Sequence, residues 1–178
     1  VTFDNTAPTI SSATIASNNA VNTLAKVGDV VTVTITSAED LYSLASLTIN
    51  SQSVDVAQVT KASATEWSFT YTMTSSDTEG DLDFGFTAND LTGNSSALTY
   101  SSSLTFDRTA PTLSAVSISS NNAVNTLAKV GDAITVTFTS SEEVQDPPTV
   151  TIGGTSATVS GSGTSWSATR TLTSSDAN

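Results

Sequence analysis

The sequence predicts an all-β protein made of two tandem β-sandwiches. Three observations support this prediction: apolar and polar residues alternate over short segments, turn residues separate the segments, and the whole pattern recurs roughly 100 residues later. Strict alternation places apolar side chains on one face of a strand and polar side chains on the other. No window shows the apolar period of a helix, and no apolar run is long enough for a membrane-spanning helix.

The duplication is clearest in the thirteen-residue block SNNAVNTLAKVGD, which occurs at residues 17–29 and again at residues 120–132. The preceding DNTAPT returns as DRTAPT at the same offset of 103. Farther along the chain the offset falls to 99, because Trp67 matches Trp166. The second copy has therefore lost four residues ahead of its tryptophan strand. A period of this length indicates a tandem array of whole domains.

The strands of the first copy follow from the alternation. Seven are predicted, near residues 9–16, 29–37, 44–50, 53–60, 66–74, 82–89 and 97–107. Seven short antiparallel strands in about 100 residues favour a two-sheet sandwich of the immunoglobulin type. No cysteine pair joins the sheets, so packed side chains must hold them together. The expected core residues are Val33, Ile35, Trp67, Phe69, Phe84 and Phe86.

The repeated block is expected to connect the first two strands. Asn18 and Asn19 predict a turn, and Gly28 leads into the second strand. Leu24 and Val27 are expected to tuck beneath the sandwich. Identical connections suit a modular spacer in which every junction is built alike, although a recent duplication produces the same identity.

The second copy lacks its last two strands. Residue 178 aligns with residue 79, so nothing in the sequence corresponds to residues 80–107. The predicted domains are 1–107, whose first five residues form the tail of a preceding repeat, and 108–178, an incomplete sandwich. Such a sandwich exposes an apolar cleft and an unpaired edge. Two explanations stay open: the sequence is cut from a longer chain, or another molecule supplies the strands.

The composition excludes several functions. Asp and Glu total 17 against 5 Lys and Arg, and the net charge of −12 repels nucleic acid and anionic membranes but attracts cations. The absence of Cys and His removes disulfides, thiolate chemistry and the usual general base. No enzyme activity is expected, because neighbouring carboxylates such as Glu142 and Glu143 do not by themselves imply a pocket.

Residues 88–94 (ANDLTGN) and 104–111 (LTFDRTAP) resemble the D-x-x-G-N and V-x-F-D-x-T-A-P signature of bacterial Ig-like domains. The resemblance covers the first copy completely and the second as far as residue 178. Domains of this family occur in tandem arrays in large surface adhesins and related exported proteins. The resemblance therefore implies an extracellular or cell-surface stalk module whose partners are neighbouring copies of the repeat. In several members of the family Ca²⁺ stiffens the junctions between modules, so the resemblance implies that Ca²⁺ plays the same role here.

Sandwich topology predicts acidic clusters at the two ends of each domain. The leading end of the first copy gathers Asp4, Glu39, Asp40 and Asp90. At the junction between the copies, the expected carboxylates are Asp107, Glu142 and Glu143 from the second copy and Asp29, Asp77, Glu79 and Asp81 from the first. Oxygen-only ligands favour Ca²⁺, which takes about 6–8 oxygen atoms. The alternative is that these side chains are solvated loop residues that keep the ends of the domain soluble.

Two other functions stay open beside a Ca²⁺-stiffened stalk. One is a self-assembling extracellular filament, in which identical chains complete one another. The other is a glycan-binding module. Tyr42, expected in the loop between the second and third strands, is its exposed aromatic candidate, because most other aromatic residues fall on the inward phase of their strands. Pro8 and Pro111 favour the stalk, since proline restricts both its own φ and the preceding residue and so makes a short linker stiff.

Overall fold

A computed structural model describes residues 3–144 and 147–176 of the chain. Its described residues are almost entirely strand and loop, with one short 3-10 helix at Val56–Gln58, so the predicted all-β class is confirmed. The chain divides into two compact units, Val1–Arg108 (unit 1) and Thr109–Asn178 (unit 2).

Unit 1 is a sandwich of two sheets. Its described strands are β1 Ile10–Ser17, β2 Leu24–Ala25, β3 Val30–Ser37, β4 Leu41–Ile49, β5 Gln52–Ser53, β6 Val59–Lys61, β7 Glu66–Thr72, β8 Gly80–Asp90 and β9 Ser95–Phe106. One sheet has the order β1-β3-β7-β6, and the other has the order β2-β9-β8-β4-β5. The short strand β2 runs parallel to β9, whereas the other pairs in unit 1 are antiparallel.

The core of unit 1 lies between these sheets. In β3 the apolar residues Val31, Val33 and Ile35 are fully buried, and the threonines between them point to the other face, as the alternation predicts. From the facing sheet, Phe84 stacks on Tyr100 with ring centroids 5.2 Å apart. The six predicted core residues are all buried, namely Val33, Ile35, Trp67, Phe69, Phe84 and Phe86.

The single strand predicted near residues 53–60 is wrong in detail. The segment instead crosses between the sheets: β5 pairs with β4 in one sheet and β6 pairs with β7 in the other. Asp55 caps the intervening 3-10 helix, because its Oδ1 accepts a hydrogen bond from the amide of Ala57 at 2.8 Å. The sequence pattern does not reveal such a crossing, because apolar alternation does not identify the sheet that a strand joins.

Unit 2 repeats the first part of this plan. Its described strands are β10 Leu113–Ser120, β11 Ala133–Ser140, β12 Thr151–Ile152, β13 Thr155–Ser156, β14 Thr158–Ser162 and β15 Ser165–Thr171. They form a sheet of order β10-β11-β15-β14 and a separate hairpin β12-β13. The sheet corresponds to β1-β3-β7-β6 of unit 1. The described residues of unit 2 contain no counterpart of β8 or β9, as the alignment of the repeats predicts.

The structure locates the four residues that the second copy lacks. Ala157 corresponds to Val54 at the original offset of 103. The amide of Val54 donates to the carbonyl of Leu47, and the amide of Ala157 donates to the carbonyl of the equivalent Val150. Val159 already holds the place of Val59, at an offset of 100. Three of the four residues are therefore missing where unit 1 forms the helix Val56–Gln58. The fourth is missing from the next turn, which leads into β15.

The residue that lies beside the tryptophan also differs between the two units. In unit 1, Lys61 lies over Trp67 with its Nζ 4.6 Å from the ring centroid. In unit 2 the equivalent position is Gly161, which pairs with Trp166 and has a φ of +135°. A Cβ at this glycine would lie 2.3 Å from the carbonyl oxygen of Ser165, so this close approach of two strands requires glycine.

We expect Gly161→Ala to destabilise unit 2 by about 1–3 kcal/mol, because it combines a strained φ with a backbone clash. Gly154→Ala is the matched control: its φ is also positive, at +76°, but nothing lies within 4 Å of the added Cβ. Hydrogen exchange of the β15 amides under native conditions measures the difference. Equal losses for the two variants would show that the close approach contributes nothing.

Candidate metal centre

The turn between β8 and β9 is organised by one buried carboxylate. Asp90 is only 3% exposed, and its Oδ1 accepts hydrogen bonds from the amides of Thr92, Gly93 and Asn94 at 2.8, 2.7 and 2.9 Å. Burial raises the pKa of Asp90, but the hydrogen bonds from Asn94 and Thr92 outweigh it and hold the pKa below its ordinary value. Asp90 is therefore an anion at neutral pH.

Two other carboxylates lie beside Asp90. One carboxylate oxygen each from Asp4, Glu39 and Asp90 lie within 4.8 Å of one another. Asp4 belongs to the segment that precedes β1, and the Nδ2 of Asn94 donates to its backbone carbonyl at 3.5 Å. Glu39 lies in the turn between β3 and β4, where its Oε1 accepts from the amide of Thr9 at 3.4 Å. The cluster thus joins the entering segment to the body of the sandwich.

The chemistry of this cluster suits a hard divalent cation. Three carboxylates at this separation repel one another unless a positive charge compensates them. The donor atoms are all oxygen, which Ca²⁺ prefers and which zinc and copper sites seldom use alone. Asp4, Glu39 and Asp90 supply three oxygen ligands, and water or backbone carbonyls would supply the remainder of the six to eight that Ca²⁺ takes.

The other carboxylates predicted at the leading ends are not members of this cluster. Asp40 is exposed and is not one of its members. In the sequence repeat, Asp107 and Glu142 correspond to Asp4 and Glu39. Asp107, which belongs to unit 1, and Glu143 of unit 2 are both exposed. The sequence contains no residue that corresponds to Asp90 in the second copy.

Among the trailing-end carboxylates, Asp77 is the most buried, at 1% exposure. Its Oδ2 accepts from the amide of Thr74 at 2.6 Å, and its Oδ1 accepts from the hydroxyl of Tyr71 at 2.9 Å. Burial raises the pKa of Tyr71, and the hydrogen bond to Asp77 raises it further. Asp77 thus satisfies polar groups inside unit 1.

The equivalent carboxylate in unit 2 has a different partner. Asp176 accepts from the amide of Thr173 at 2.7 Å and from the guanidinium of Arg170 at 2.5 Å. The hydrogen bond from Thr173 lowers the pKa of Asp176, and the one from Arg170 lowers it further. Arg170 therefore takes over the role of Tyr71, and this pairing explains a basic residue on the otherwise apolar phase of β15.

Asp29 closes the repeated block. Its Oδ2 accepts from Asn19 Nδ2 at 2.7 Å and from the amide of Lys26 at 2.9 Å. In unit 2, Asp132 makes the same two bonds, at 2.7 and 2.9 Å. The hydrogen bond from Asn122 is the main cause of the lowered pKa of Asp132. The block therefore adopts the same hydrogen-bonded loop in both units.

One prediction for this block is wrong. Leu24 is half-buried and belongs to β2, but Val27 is 45% exposed and does not tuck beneath the sandwich. The amide of Gly28, the next residue, donates to the carbonyl of Met73, so the chain already turns toward β3 at this point. Met73, at 1% exposure, occupies the core beneath the turn.

The remaining trailing-end carboxylates, Asp81 and Glu79, also make their contacts within unit 1. Asp81 accepts from the hydroxyl of Thr105 at 2.7 Å. Glu79 accepts from the amide of Arg108 at 3.0 Å, and the Nε of the same arginine lies 3.9 Å from its Oε1. A shared metal site at the junction between the two copies stays a prediction.

The aromatic residue proposed for glycan binding is exposed but lies elsewhere than expected. Tyr42 is 70% exposed, and it belongs to strand β4 and not to a loop. Most aromatic residues of unit 1 are instead part of the buried core, as the inward phase of their strands predicts.

Acid should destabilise the turn at Asp90. The folded-state pKa is lowered, so this carboxylate stabilises unit 1 above its unfolded pKa of about 3.9, and the stabilisation is lost as the pH falls through the folded pKa. We expect Asp90→Asn to lower the melting temperature at pH 7 and to have a smaller effect near pH 2. Melting curves between pH 2 and 7 measure this, with exposed Asp40→Asn as the control. A loss that is the same at every pH would contradict the prediction.

Comparison with known proteins gives one clear match. The family model described as Bacterial Ig-like domain (group 3) matches residues 64–168, which is more than half of the chain. The matched segment begins just before β7 and ends within β15, so it covers one period of the repeat, from one tryptophan strand to the next. Neither the curated proteins nor the solved structures contain a match to the chain.

The family match confirms the resemblance carried by the ANDLTGN and LTFDRTAP motifs. Domains of this family are structural and typically non-catalytic, and they are usually extracellular or exposed at the cell surface. Within the described residues, no helix has the length and apolarity needed to cross a membrane. The chain belongs to the bacterial Ig-like domain family, group 3.

Proposed function

We propose that this chain is an extender segment of a bacterial surface adhesin or a related exported protein. Its role is mechanical: it holds other domains at a distance from the cell. The observation that carries the proposal is the cluster of Asp4, Glu39 and Asp90, because it places a residue of the entering segment beside two residues of the sandwich. A Ca²⁺ ion bound there would fasten that segment to the sandwich.

The segment that connects the two units supports the same role. On one side, Arg108 donates its amide to Glu79 and its guanidinium to the carbonyl of Ser75. On the other side, Thr112 and Ser141 exchange two hydrogen bonds of 2.9 Å each. The anchored residues are therefore separated by only residues 109–111, which end in a proline. A connection this short has little conformational freedom.

A calorimetric Ca²⁺ titration of the full chain tests the proposal. Unit 1 has three clustered carboxylates, whereas the sequence of the second copy supplies counterparts of only two of them. We therefore expect one site per chain. Glu39→Gln should weaken binding at least tenfold, and Glu143→Gln should leave it unchanged. Loss of binding in the Glu143 variant with retention in the Glu39 variant would move the site to the junction.

A second candidate is a self-assembling filament subunit, in which one chain completes another. The exposure of large apolar residues on unit 2, among them Leu113, Ile118 and Leu127, favours it. Sedimentation velocity over a hundredfold range of concentration separates the two candidates. The extender stays monomeric, whereas the filament subunit grows with concentration.

A further inference from the structure

The two units differ at one edge of the sheet that they share. In each unit the last strand of this sheet, β6 in unit 1 and β14 in unit 2, pairs on one side with the tryptophan strand. Within the described part of the chain, no strand pairs with its other side. Strands β8 and β9 of unit 1 belong to the other sheet, so the difference between the two edges lies within the shared sheet itself.

In unit 1 this edge is short and blocked. Strand β6 has only three residues, and the helix Val56–Gln58 stands immediately before it. The amide of Val59 donates to the first carbonyl of that helix, so the helix satisfies a group of the edge strand. The last side chain of the helix accepts from the hydroxyl of Thr70 at 3.3 Å and so covers the tryptophan strand at that point. Lys61 ends β6, and lysine is a residue that commonly protects edge strands.

In unit 2 the same edge is longer and open. Three of the residues missing from the second copy are those of the helix, so Thr158 pairs directly with Thr169, the counterpart of Thr70. Gly161 replaces the lysine. Strand β14 pairs with β15 over five residues without a register shift, and residues 149–169 contain neither a charged residue nor a proline. The usual features that prevent edge strands from pairing are therefore missing from β14.

The phase of the ladder identifies the backbone groups on the open side. Successive residues of an antiparallel edge strand point their amides and carbonyls alternately toward the partner strand and away from it. In unit 1 the amide of Ala62 donates to a carbonyl of β7, so Thr60, two residues earlier, also faces β7. Ser160 corresponds to Thr60 in the register of unit 2. Val159 and Gly161, on either side of it, therefore point their amides and carbonyls outward.

We propose that the open edge of β14 binds the same edge of a second copy of this chain as an antiparallel strand pair. With Ser160 of each chain on a twofold axis, Val159 of one chain lies opposite Gly161 of the other, and each of these pairs exchanges both of its N–H···O bonds. A pairing centred on Val159 would instead place Gly161 opposite Ala157, whose amide already donates to Val150. The edge is thus self-complementary in one register, and its pairing requires neither Ca²⁺ nor the proposed extender role.

Charge explains why a second copy can approach at this edge. The chain has a net charge of −12, so two copies repel each other over most of their surfaces. Around β14 the sequence is uncharged from residue 147 to residue 169. On one face of β14 and β15 the paired side chains are all hydroxyls, namely Thr158, Ser160, Ser162, Ser165, Ser167 and Thr169. Because only two short strands meet, the buried area is small, so the pairing is weak and the chain stays monomeric in dilute solution.

A cysteine cross-link tests the pairing directly, because the chain has no cysteine of its own. Residues directly opposite each other in a non-hydrogen-bonded antiparallel pair bring their Cβ atoms within reach of a disulfide. Under mild oxidation at millimolar chain concentration, Ser160→Cys should form a disulfide-linked dimer at least tenfold faster than Thr60→Cys. Thr60 is the matched control, since it is the exposed equivalent on the blocked edge of unit 1.

Two further variants locate the contact. Val159→Pro removes an outward amide, and proline is tolerated on an edge strand where the N–H faces solvent. Added to Ser160→Cys, it should reduce the rate of dimer formation to that of Thr60→Cys. Ile118→Lys, on the exposed apolar surface of unit 2, should leave the rate unchanged.

Hydrogen exchange supplies a measurement without cysteine. In the parent chain the amides of Val159 and Gly161 should exchange at least threefold more slowly at millimolar than at micromolar concentration. Ser160→Lys should remove this difference, because it places like charges directly opposite each other across the pair.

The proposal is overturned if Ser160→Cys and Thr60→Cys dimerise at the same rate, because such dimers would arise from random collision. It is also overturned if Val159→Pro leaves the cross-link intact or if Ile118→Lys abolishes it, since the contact would then lie on another surface. If Val159→Pro prevents folding, the exchange experiment decides: rates that do not depend on concentration in the parent chain would contradict the pairing.

Discussion

Phe69→Ala is expected to destabilise unit 1 by about 3–5 kcal/mol, the usual effect of removing a buried phenylalanine side chain. Phe69 is fully buried, and its ring meets that of Phe86 edge-on with centroids 6.4 Å apart. It also lies between Val33 and Val59 of the neighbouring strands. The alanine would leave a cavity at the centre of the sandwich, because the sheets cannot close around it fully.

Urea unfolding followed by hydrogen exchange of the β7 amides measures this loss. Leu91→Ala is the control, because Leu91 is 66% exposed and should change stability by less than about 0.5 kcal/mol. The amides of β15 should be unaffected, since β15 belongs to the other compact unit of the chain. A loss below about 1 kcal/mol for Phe69→Ala would show that the described packing does not hold the sheets together.

Asp77→Ala should have the second-largest effect, about 2–3 kcal/mol, since it removes a buried carboxylate and leaves the partly buried hydrogen bonds from Tyr71 and Thr74 without their acceptor. The pKa of Tyr71 should also fall, because the carboxylate that raises it is gone. Denaturant unfolding measures the first effect, and ultraviolet titration of the tyrosines at alkaline pH measures the second.

A double-mutant cycle isolates this interaction. Tyr71→Phe removes the donor, so the loss from Asp77→Ala should be smaller in that background by about 1 kcal/mol. Glu66→Ala, at an exposed position of the same strand β7, is the matched control and should have little effect. Fully additive losses would mean that the hydroxyl and the carboxylate do not stabilise unit 1 together.

The strand pattern and the core could be predicted because both depend on local alternation. In β3, every second residue is apolar, and this alone identifies Val33 and Ile35 as core. The crossing at Val56–Gln58 could not be predicted, because it depends on which sheet offers a free edge. The parallel pairing of Leu24–Ala25 with β9 could not be predicted either, since two residues are too few to show a period.

The candidate site shows a similar division. Topology predicts that Asp4, Glu39 and Asp90 share one end of the sandwich, and the structure places their carboxylates together. The same reasoning includes Asp40, but this residue, which follows Glu39 in the turn, is exposed and is not part of the cluster. The burial of Asp77 also escapes sequence reasoning, because an acidic residue in a turn is ordinarily solvated.

The most direct test of the extender account is hydrogen exchange of residues 3–9 with Ca²⁺ and then with EDTA. If an ion at Asp4, Glu39 and Asp90 fastens the entering segment, the amides of Thr6 and Thr9 should exchange at least tenfold more slowly with Ca²⁺. The difference should vanish in Glu39→Gln and persist in Glu143→Gln. Equal exchange under the two conditions in the parent chain would contradict the account, and the acidic end would then be a solvated surface.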